Sequence, residues 1–201
     1  KQFADRDFFD GALLQQYTDQ LIEIGQRIYE VRKGFTQAFR PLVQKHYALL
    51  SEESEQVDLQ YESDFAQDIA ALFKQNQKKD LILKRTNVGI HKDEFLFEME
   101  GELIKKFGSQ GQQKSYLIAL KLAHFDYIFT ETEIKPMLLL DDIFDKLDDF
   151  RIPKLMEMVA SDAFGQIFVT DARPERSQKI FEAIGHEVKF FEVEGGEIEA
   201  K

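Results

Sequence analysis

The sequence predicts an α/β fold, a mixed or parallel sheet with flanking helices, preceded by a long helical segment. Three observations support this prediction. Apolar residues recur at helical spacing through residues 8–50, and two short apolar runs, at 137–140 and 167–169, have the length of buried strands. Helical stretches alternate with these runs, as in domains that pack helices against a parallel sheet.

The first helix is predicted over residues 8–50 by apolar residues at alternating three- and four-residue steps. This period of 3.5 is typical of a helix that packs on a partner helix. Two interpretations stay open: an ordinary amphipathic helix on a core, and an arm or helical hairpin. Pro41 lacks a backbone donor and predicts a kink or break near Phe39. The apolar stripe consists of Leu14, Tyr17, Leu21, Ile24, Ile28, Val31 and Phe35.

The middle of the chain predicts a strand, a helix and a hairpin. Residues 57–61 alternate apolar and polar side chains, as in a half-buried strand. Asp64 followed by Gln67 predicts a capping box at the start of a helix that ends between Gln77 and Lys84. Two alternating segments around Gly101 predict a hairpin. Helices are then expected at 110–129, 152–159 and 175–184, with a last strand at 187–193 before a polar tail.

Composition excludes several classes of protein. The 201 residues contain no cysteine, which excludes disulfides and thiolate metal sites. The 37 acidic and 26 basic residues give a net charge of −11, which argues against a free-standing nucleic-acid binder. No apolar stretch approaches the roughly 18 residues of a membrane span. We therefore expect a soluble cytoplasmic protein that does not enter a membrane.

An aspartate pair follows the first apolar run. Residues 136–142 read Pro-Met-Leu-Leu-Leu-Asp-Asp, so Asp141 and Asp142 lie where a buried strand emerges. Ligands of open α/β sheets bind at the carboxyl ends of strands. One interpretation is a Walker B motif, in which Asp141 orients Mg²⁺ and Asp142 polarises the attacking water. The alternative is a strand end at which the aspartates cap the next helix.

A glycine-containing segment precedes the helix at 110–129. Residues 107–114 read Phe-Gly-Ser-Gln-Gly-Gln-Gln-Lys, so Ser109 and Gly111 lie at a helix N-terminus with unpaired N–H groups. That arrangement suits a phosphate. Serine and glycine also cap helices for structural reasons alone, and this interpretation stays open for the segment by itself.

The two motifs together resemble those of RecF-type DNA-repair proteins, a branch of the ABC ATPase group that includes the SMC proteins. Ser-Gln-Gly-Gln-Gln-Lys-Ser at 109–115 resembles the signature motif of that family, upstream of the Walker B strand. Residues 143–148 look like its D-loop, with Asp148 in the final position. Residues 85–94 resemble a further RecF stretch, with Ile90 in place of the usual proline and Lys92 in place of arginine.

The resemblance implies a C-terminal lobe of an ABC-type ATPase head at 56–201, behind a helical arm at 1–55. Its ATP would lie between two heads. Signature residues Ser109, Gln110, Gly111 and Gln112 would engage nucleotide held by the partner head. Asp141 would orient Mg²⁺, Asp142 would act as the catalytic residue, and Asp148 would communicate across the dimer. The switch region would include Thr170 and Asp171.

The resemblance also implies partners. These are an N-terminal half with the Walker A loop, a second copy in an ATP-dependent homodimer, DNA, and other recombination mediators of the RecF pathway in replication, recombination, repair and the SOS response. The sequence contains no Gly-x-x-x-x-Gly-Lys-Ser/Thr motif. We therefore expect that residues 1–201 alone neither bind ATP tightly nor hydrolyse it.

Other interpretations stay open. Asp141, Asp142, Asp145 and Asp148 could hold metal ions in a Mg²⁺-dependent nuclease or phosphohydrolase. The chain could instead be a non-catalytic scaffold that offers its first helix to partner proteins. A small basic cluster is either a solvated turn or a contact with phosphate or the DNA backbone. This cluster consists of Arg85, His91 and Lys92.

Overall fold

A computed structural model describes residues 11–52, 54–141, 151–160, 164–184 and 188–200. Within these ranges, no helix has the length and apolar character needed to cross a membrane. The chain forms two compact units, the first built from Lys1–Gln44 and Gln56–Phe107 and the second from Lys45–Glu55 and Gly108–Lys201. The predicted division into an arm at 1–55 and a lobe at 56–201 stays a prediction.

The first helix, α1, spans Gly11–Ser51 and contributes residues to both units. It continues through Pro41, so a division of the helix near Phe39 is wrong, whereas a kink there stays a prediction. A proline inside a helix costs about 3 kcal/mol. Pro41 is exposed, whereas Phe39 and Val43 on either side of it are buried, and their packing offsets this cost.

The apolar stripe of α1 is not its buried face. Tyr17, Leu21, Ile24 and Val31 are 48%, 50%, 57% and 73% exposed. The interpretation of the stripe as the core-facing side of α1 is therefore wrong within the described residues. In the first unit α1 instead buries residues next to the stripe, namely Gly25, Tyr29, Thr36, Phe39 and Val43.

Gly25 lies where α1 crosses the core of the first unit. A Cβ atom at this position would lie 2.2 Å from the ring of Phe65. The absence of a side chain thus lets the aromatic ring pack directly on the helix backbone. The rest of this core consists of Tyr29, Ile69, Phe73 and Val88.

A three-stranded antiparallel sheet lies in the first unit. Strand β1, Val57–Glu62, pairs with β2, Glu94–Met99, which also pairs with β3, Glu102–Leu103. The predicted hairpin is confirmed, but its second strand is shorter than expected. Ile104–Phe107 forms a helical turn, α3, whose first residue is buried.

Helix α2 spans Ile69–Leu83 and begins later than predicted. Its N-cap is Asp68, whose carboxylate accepts a hydrogen bond from the backbone N–H of Ala71. Asp64 opens a short 3-10 turn instead, and its carboxylate accepts from the backbone N–H of Gly89 at 2.8 Å. The predicted capping box is therefore wrong, because a distant turn uses the Asp64 side chain.

The second unit contains three helices and a pair of parallel strands among its described residues. Helix α4 spans Gln110–Thr132, and β4, Leu138–Asp141, follows it. Helix α5, Arg151–Ala160, precedes β5, Ile167–Thr170, and α6 spans Pro174–Ile184. Strands β4 and β5 are parallel, as predicted, and the register pairs Asp141 with Thr170.

Only one face of the β4–β5 pair is buried by the described residues. Leu138 and Leu140 are 7% and 3% exposed, whereas Leu139 and Phe168 are 66% and 46% exposed. The prediction of a strand buried on both faces is therefore wrong for this part of the chain. Parallel sheets are normally covered on both faces. The second apolar face of this pair therefore lacks its cover among the described residues.

The segment predicted as a polar tail forms a strand. Strand β6, Phe191–Glu194, pairs antiparallel with β7, Glu197–Ala200. The alternation of side chains places four glutamates on one face and apolar residues on the other. The expectation of a tail was wrong because the strand signal in 197–200 is short and acidic.

Candidate nucleotide-binding site

The N-terminus of α4 is closed by a capping box. Ser109 is the N-cap, and its Oγ accepts a hydrogen bond from the N–H of Gln112 at 3.2 Å. The side-chain carbonyl of Gln112 accepts in return from the N–H of Ser109 at 2.7 Å. Because Oγ acts as an acceptor in this bond, its hydroxyl proton can be donated to another group.

This helix end has the properties of an anion site. Ser109 and Gln110 are exposed and Gly111 is half-buried. The N–H groups of the first helical turn have no acceptors within the helix, and the helix dipole places positive potential there. Ser109, Gln110, Gly111 and Gln112, which were predicted as signature residues, thus form one surface at the start of α4.

Glu55 holds Gln112 in place from outside the motif. The Gln112 side-chain Nε2 donates to Glu55 Oε1 at 2.7 Å. The Tyr47 hydroxyl donates to the other oxygen of Glu55 at 2.5 Å, and Arg151 Nη2 lies 3.9 Å from that oxygen. The sequence prediction missed Glu55, because a glutamate in a polar segment has no local pattern that indicates a distant partner.

Tyr47 connects the end of α1 with α4. Its side chain is fully buried, and its ring packs 5.9 Å from that of Tyr116 on α4. Burial, together with the neighbouring Glu55 carboxylate, raises the pKa of Tyr47 well above its usual value. The hydroxyl therefore remains a neutral donor to Glu55 at all physiological pH values.

A second connection between α1 and α4 is the pair of His46 and Asp126. His46 Nε2 lies 2.8 Å from Asp126 Oδ2, and Lys45 Nζ lies 3.2 Å from the same oxygen. Burial lowers the pKa of His46, although Asp126 acts in the opposite direction. The other ring nitrogen is buried without a hydrogen-bond partner among the described residues. We therefore assign His46 as neutral, with its proton on Nε2.

Asp141 and Thr170 meet at the carboxyl ends of the parallel strands. The Thr170 hydroxyl donates to Asp141 Oδ1 at 2.5 Å. Both were predicted from sequence, one as a metal ligand and the other as a switch residue, but their contact was not. Asp142, Asp145 and Asp148 lie outside the described residues.

Asp171, the other predicted switch residue, belongs to an internal ion pair. Its carboxylate accepts from Arg176 Nη2 at 2.5 Å and from the Ser177 hydroxyl at 2.6 Å. Burial by itself would raise the pKa of Asp171, but the hydrogen bonds from Arg176 and Ser177 outweigh it and hold that pKa below its usual value. These bonds join the strand end to the first turn of α6.

The chemistry of the strand end fits a hard cation. A carboxylate and a hydroxyl are the oxygen donors that Mg²⁺ prefers, and Mg²⁺ usually completes its shell with water and substrate phosphates. No group of three or more metal-ligating side chains occurs in the described part of the chain. The described residues could thus supply part of a Mg²⁺ site but do not form a closed cage.

Several hydrogen bonds hold the stretch at 85–94 against other residues of the first unit. Asp80 accepts from the N–H and the side-chain amide of Asn87 at 3.0 and 2.7 Å. Gly89, which donates to Asp64, has a φ of 122°, a conformation that favours glycine. Arg32 donates to the carbonyl of Ile90 at 3.1 Å. The stretch therefore forms a defined turn.

The same turn ends in a buried carboxylate. Asp93 accepts from Arg32 at 2.7 Å and from the Tyr61 hydroxyl. The Asp93 side chain is 1% exposed. Its hydrogen bond raises the pKa of Arg32, which stays charged. The predicted basic cluster lies nearby, and its side chains are exposed, namely Arg85, His91 and Lys92.

Comparison with known proteins identifies the family. No protein-family model matches the chain. It is 46% identical over 192 residues to the DNA replication and repair protein RecF of Flavobacterium johnsoniae, a match that covers 95% of this chain and 54% of that protein. The chain belongs to the RecF family. It is also 42% identical over 200 residues to RecF of Cytophaga hutchinsonii, covering 99% of this chain and 53% of that protein.

The chain spans about half the length of the RecF proteins that it matches, and it corresponds to their C-terminal half. Solved structures agree with this fold. The recombination mediator protein RecF-ATP of the RecFOR pathway matches with a TM-score of 0.78 at 22% identity, over 100% of this chain and 53% of that one. An SMC ATPase matches with a TM-score of 0.54 at 16% identity, over 86% of this chain and 87% of that one. The predicted α/β fold of an ABC-type head is confirmed.

Proposed function

We propose that this chain supplies the signature and Walker B half of a RecF-type, ATP-dependent DNA clamp that acts in DNA replication and recombinational repair in the cytoplasm. The observation that supports this most strongly is the capped N-terminus of α4, at which Ser109 keeps a hydroxyl proton to donate. Two chemically distinct parts of a nucleotide site thus belong to one chain: an anion-binding helix end and an acidic strand end.

The signature residues act on nucleotide held by a second head. Ser109 donates to a γ-phosphate oxygen, and the N–H groups of Gln110 and Gly111 add two further donors. Hydrogen bonds to charged acceptors contribute about 1.5–3 kcal/mol each. Their contribution exists only when two heads meet around ATP, so ATP stabilises a homodimer and its hydrolysis opens the clamp.

The acidic strand end acts on the nucleotide of its own head. Asp141 holds Mg²⁺, Asp142 positions the attacking water, and Asp148 communicates across the dimer. Bound Mg²⁺ neutralises charge that develops on the phosphates. The hydrogen bond from Thr170 orients the Asp141 carboxylate.

The rest of a RecF-length protein supplies the Walker A loop. Two apolar surfaces support this proposal, since the described residues leave both exposed. One is the uncovered face of β4–β5 with Leu139 and Phe168. The other is the stripe of α1, whose period of 3.5 suits a second helix in an arm. Without that portion, residues 1–201 lack the lysine and the backbone cradle that hold a triphosphate.

Substitutions at Ser109 test the signature role in a RecF-length protein that contains this sequence. Ser109→Asp keeps a good N-cap but places a carboxylate against the phosphate. We expect this change to weaken ATP-dependent dimerisation at least tenfold in light scattering. Ser109→Thr, which keeps both the cap and the hydroxyl, serves as the matched control. Equal dimerisation of the Ser109→Asp and unaltered proteins would contradict the proposal.

Neither alternative from the sequence is favoured. RecF relatives and RecF-like structures do not point to a nuclease that uses the aspartate cluster, and most of that cluster lies outside the described residues. A scaffold that binds partners through α1 is compatible with the exposed stripe. The scaffold interpretation, however, gives no role to the capped N-terminus of α4 or to the Asp141–Thr170 pair. Contacts with other recombination mediators remain part of the proposed function.

A further inference from the structure

A segment of the first unit has a charge opposite to that of the chain as a whole. Residues 74–92, here called the basic tract, contain six lysines and arginines and one aspartate, a net charge of +5 in a chain whose total is −11. All six basic side chains are exposed. They are Lys74, Lys78, Lys79, Lys84, Arg85 and Lys92.

The first part of the basic tract is the exposed side of α2. Lys74 and Lys78 are one turn apart on the same helix face, with an axial separation of about 6 Å. Lys79 lies about 100° further around the helix from Lys78. The opposite side of α2 packs Ile69 and Phe73 into the core of the first unit, so the lysines are presented by a fixed backbone.

The acidic residue of the tract does not neutralise these lysines. Asp80 is half-buried, and its carboxylate accepts two hydrogen bonds from Asn87 within the turn. The other exposed polar residues on α2 include Gln75 and Gln77, whose amides are hydrogen-bond donors. The exposed side chains of the tract thus present positive charge and neutral donors without an exposed carboxylate.

The lysines of α2 also have no acidic partner among the described residues. Two other basic residues of the first unit, by contrast, are paired: Arg27 with Glu23 at 2.6 Å, and Arg40 with Asp58. Binding an anion at Lys74, Lys78 and Lys79 therefore does not require an ion pair between described residues to break. The positive charge of these three lysines is available to a polyanion.

We propose that the basic tract binds the phosphate backbone of DNA, independently of base sequence. This inference rests on the proposed function, which makes DNA the partner. Lysines, arginines and side-chain amides are the groups that contact phosphate oxygens in protein–DNA interfaces. The tract extends the predicted cluster of Arg85, His91 and Lys92 by the three exposed lysines of α2.

The end of α2 provides a way to distinguish DNA from a protein partner. Leu81, Ile82 and Leu83 are exposed next to the lysines, and Ile82 is 79% exposed. An acidic protein segment would bury these apolar side chains on binding, whereas contacts with phosphates would leave them exposed. Ile82→Asn should therefore leave the affinity for DNA unchanged.

The test measures binding of the 201-residue chain to a fluorescent 30-base-pair duplex by anisotropy, between 50 and 200 mM salt. We expect Lys74→Gln/Lys78→Gln/Lys79→Gln to weaken binding about tenfold or more at 50 mM salt. For this triple variant, the magnitude of the negative slope of log K against log salt should decrease by about 2–3, because each lost phosphate contact removes about 0.9. A matched control removes three exposed lysines outside the tract, Lys105→Gln/Lys106→Gln/Lys121→Gln, and should bind within about twofold of the unaltered chain.

Several outcomes would overturn the inference: no binding by the unaltered chain at 50 mM salt, equal slopes for the two triple variants, or a loss of DNA binding on Ile82→Asn. Tighter binding of polyglutamate than of a duplex of equal charge would place a protein at the tract instead. ATP-dependent dimerisation of the RecF-length protein should be the same with and without the α2 lysines. DNA binding by the lysine variants thus tests the tract, whereas dimerisation of the Ser109 variants tests the proposed clamp, so the two can fail independently.

Discussion

Gln112 donates a 2.7 Å hydrogen bond to Glu55, while the carbonyl of the same amide accepts from the N–H of Ser109. A carboxylate can only accept, so Glu55 determines which way the amide of Gln112 faces. Were the amide reversed, its NH₂ group would point at the Ser109 N–H, and the capping box would open. A residue 54 positions before Ser109 in the chain therefore sets the geometry of the N-terminus of α4.

Replacing Glu55 should loosen the N-terminus of α4 without removing any residue of the proposed signature motif. Glu55→Ala frees the Gln112 amide and leaves the Tyr47 hydroxyl without its acceptor, which costs about 1–3 kcal/mol. We expect faster hydrogen exchange at residues 109–113 and weaker ATP-dependent dimerisation of the RecF-length protein. Tyr47→Phe is the control, since it removes the other bond to Glu55 and should leave that exchange unchanged. Equal protection of residues 109–113 in Glu55→Ala and the unaltered chain would contradict the positioning role.

Two glycines of α1 should respond in opposite ways to alanine. Gly25→Ala pushes a methyl group into the Phe65 ring and should destabilise the chain by about 1–3 kcal/mol, as overpacked cores do. Gly34→Ala meets nothing within 4 Å and should stabilise it by about 0.5–1 kcal/mol through helix propensity. Urea unfolding measures both. A stabilised Gly25→Ala variant would show that Phe65 does not pack against this part of α1.

Stability should depend on pH through His46. The pKa of His46 is lowered in the folded chain, so the unfolded chain binds the proton more readily. Its contribution is present above a pH of about 6.5 and is lost as the pH falls below that value. His46→Gln should flatten the unfolding free energy between about pH 7 and 5. An unchanged slope in this variant would indicate that His46 is not buried as a neutral side chain.

Asp171 should affect the pH dependence of stability in a separate, more acidic pH range than His46. Its pKa is lowered in the folded chain, so its contribution is complete above the unfolded value of about 4. It is lost as the pH falls through the lower folded value, when the carboxylate must be protonated and its bonds to Arg176 and Ser177 weaken. Asp171→Asn should therefore reduce stability at pH 7 and reduce the acid sensitivity below about pH 4, as urea unfolding at each pH would show. Identical acid profiles would contradict this assignment.

The uncovered face of β4–β5 should make residues 1–201 associate with themselves. The double substitution Leu139→Thr/Phe168→Thr removes exposed apolar area and introduces threonine, which suits a strand. It should reduce self-association in sedimentation velocity with little change in stability. Leu140→Thr on the buried face is the contrast and should cost about 2 kcal/mol or more. Unchanged association after the double substitution would show that another surface is responsible.

The sequence predicted those features whose signals are local. The serine N-cap of α4, the strand that ends at Asp141 and the hairpin around Gly101 each depend on neighbouring residues, and the structure has all three. Asp64 was misassigned because its carboxylate bonds to Gly89, which no local pattern indicates. The stripe on α1 was read correctly as a helix pattern, but periodicity alone cannot say which apolar face a core covers.

The same distinction applies to the candidate site. Asp141 and Thr170 were each predicted from the strands that they end, yet their hydrogen bond depends on parallel pairing in a particular register. Glu55 and Tyr47 were not predicted at all, since their link to Gln112 joins segments that are distant in sequence. Motifs identify the residues that touch ligands, whereas the residues that hold a motif in position become visible only in three dimensions.

The hydroxyl of Thr170 has a single proton, and that proton is engaged by Asp141. It can be offered to only one acceptor at a time, so a new acceptor at the Thr170 hydroxyl would have to replace Asp141. Whatever relieves Asp141 of this bond also creates a donor beside it. A ligand that breaks this bond on binding Asp141 would therefore favour an acceptor at the Thr170 hydroxyl, and linkage requires that acceptor to favour the ligand by the same factor.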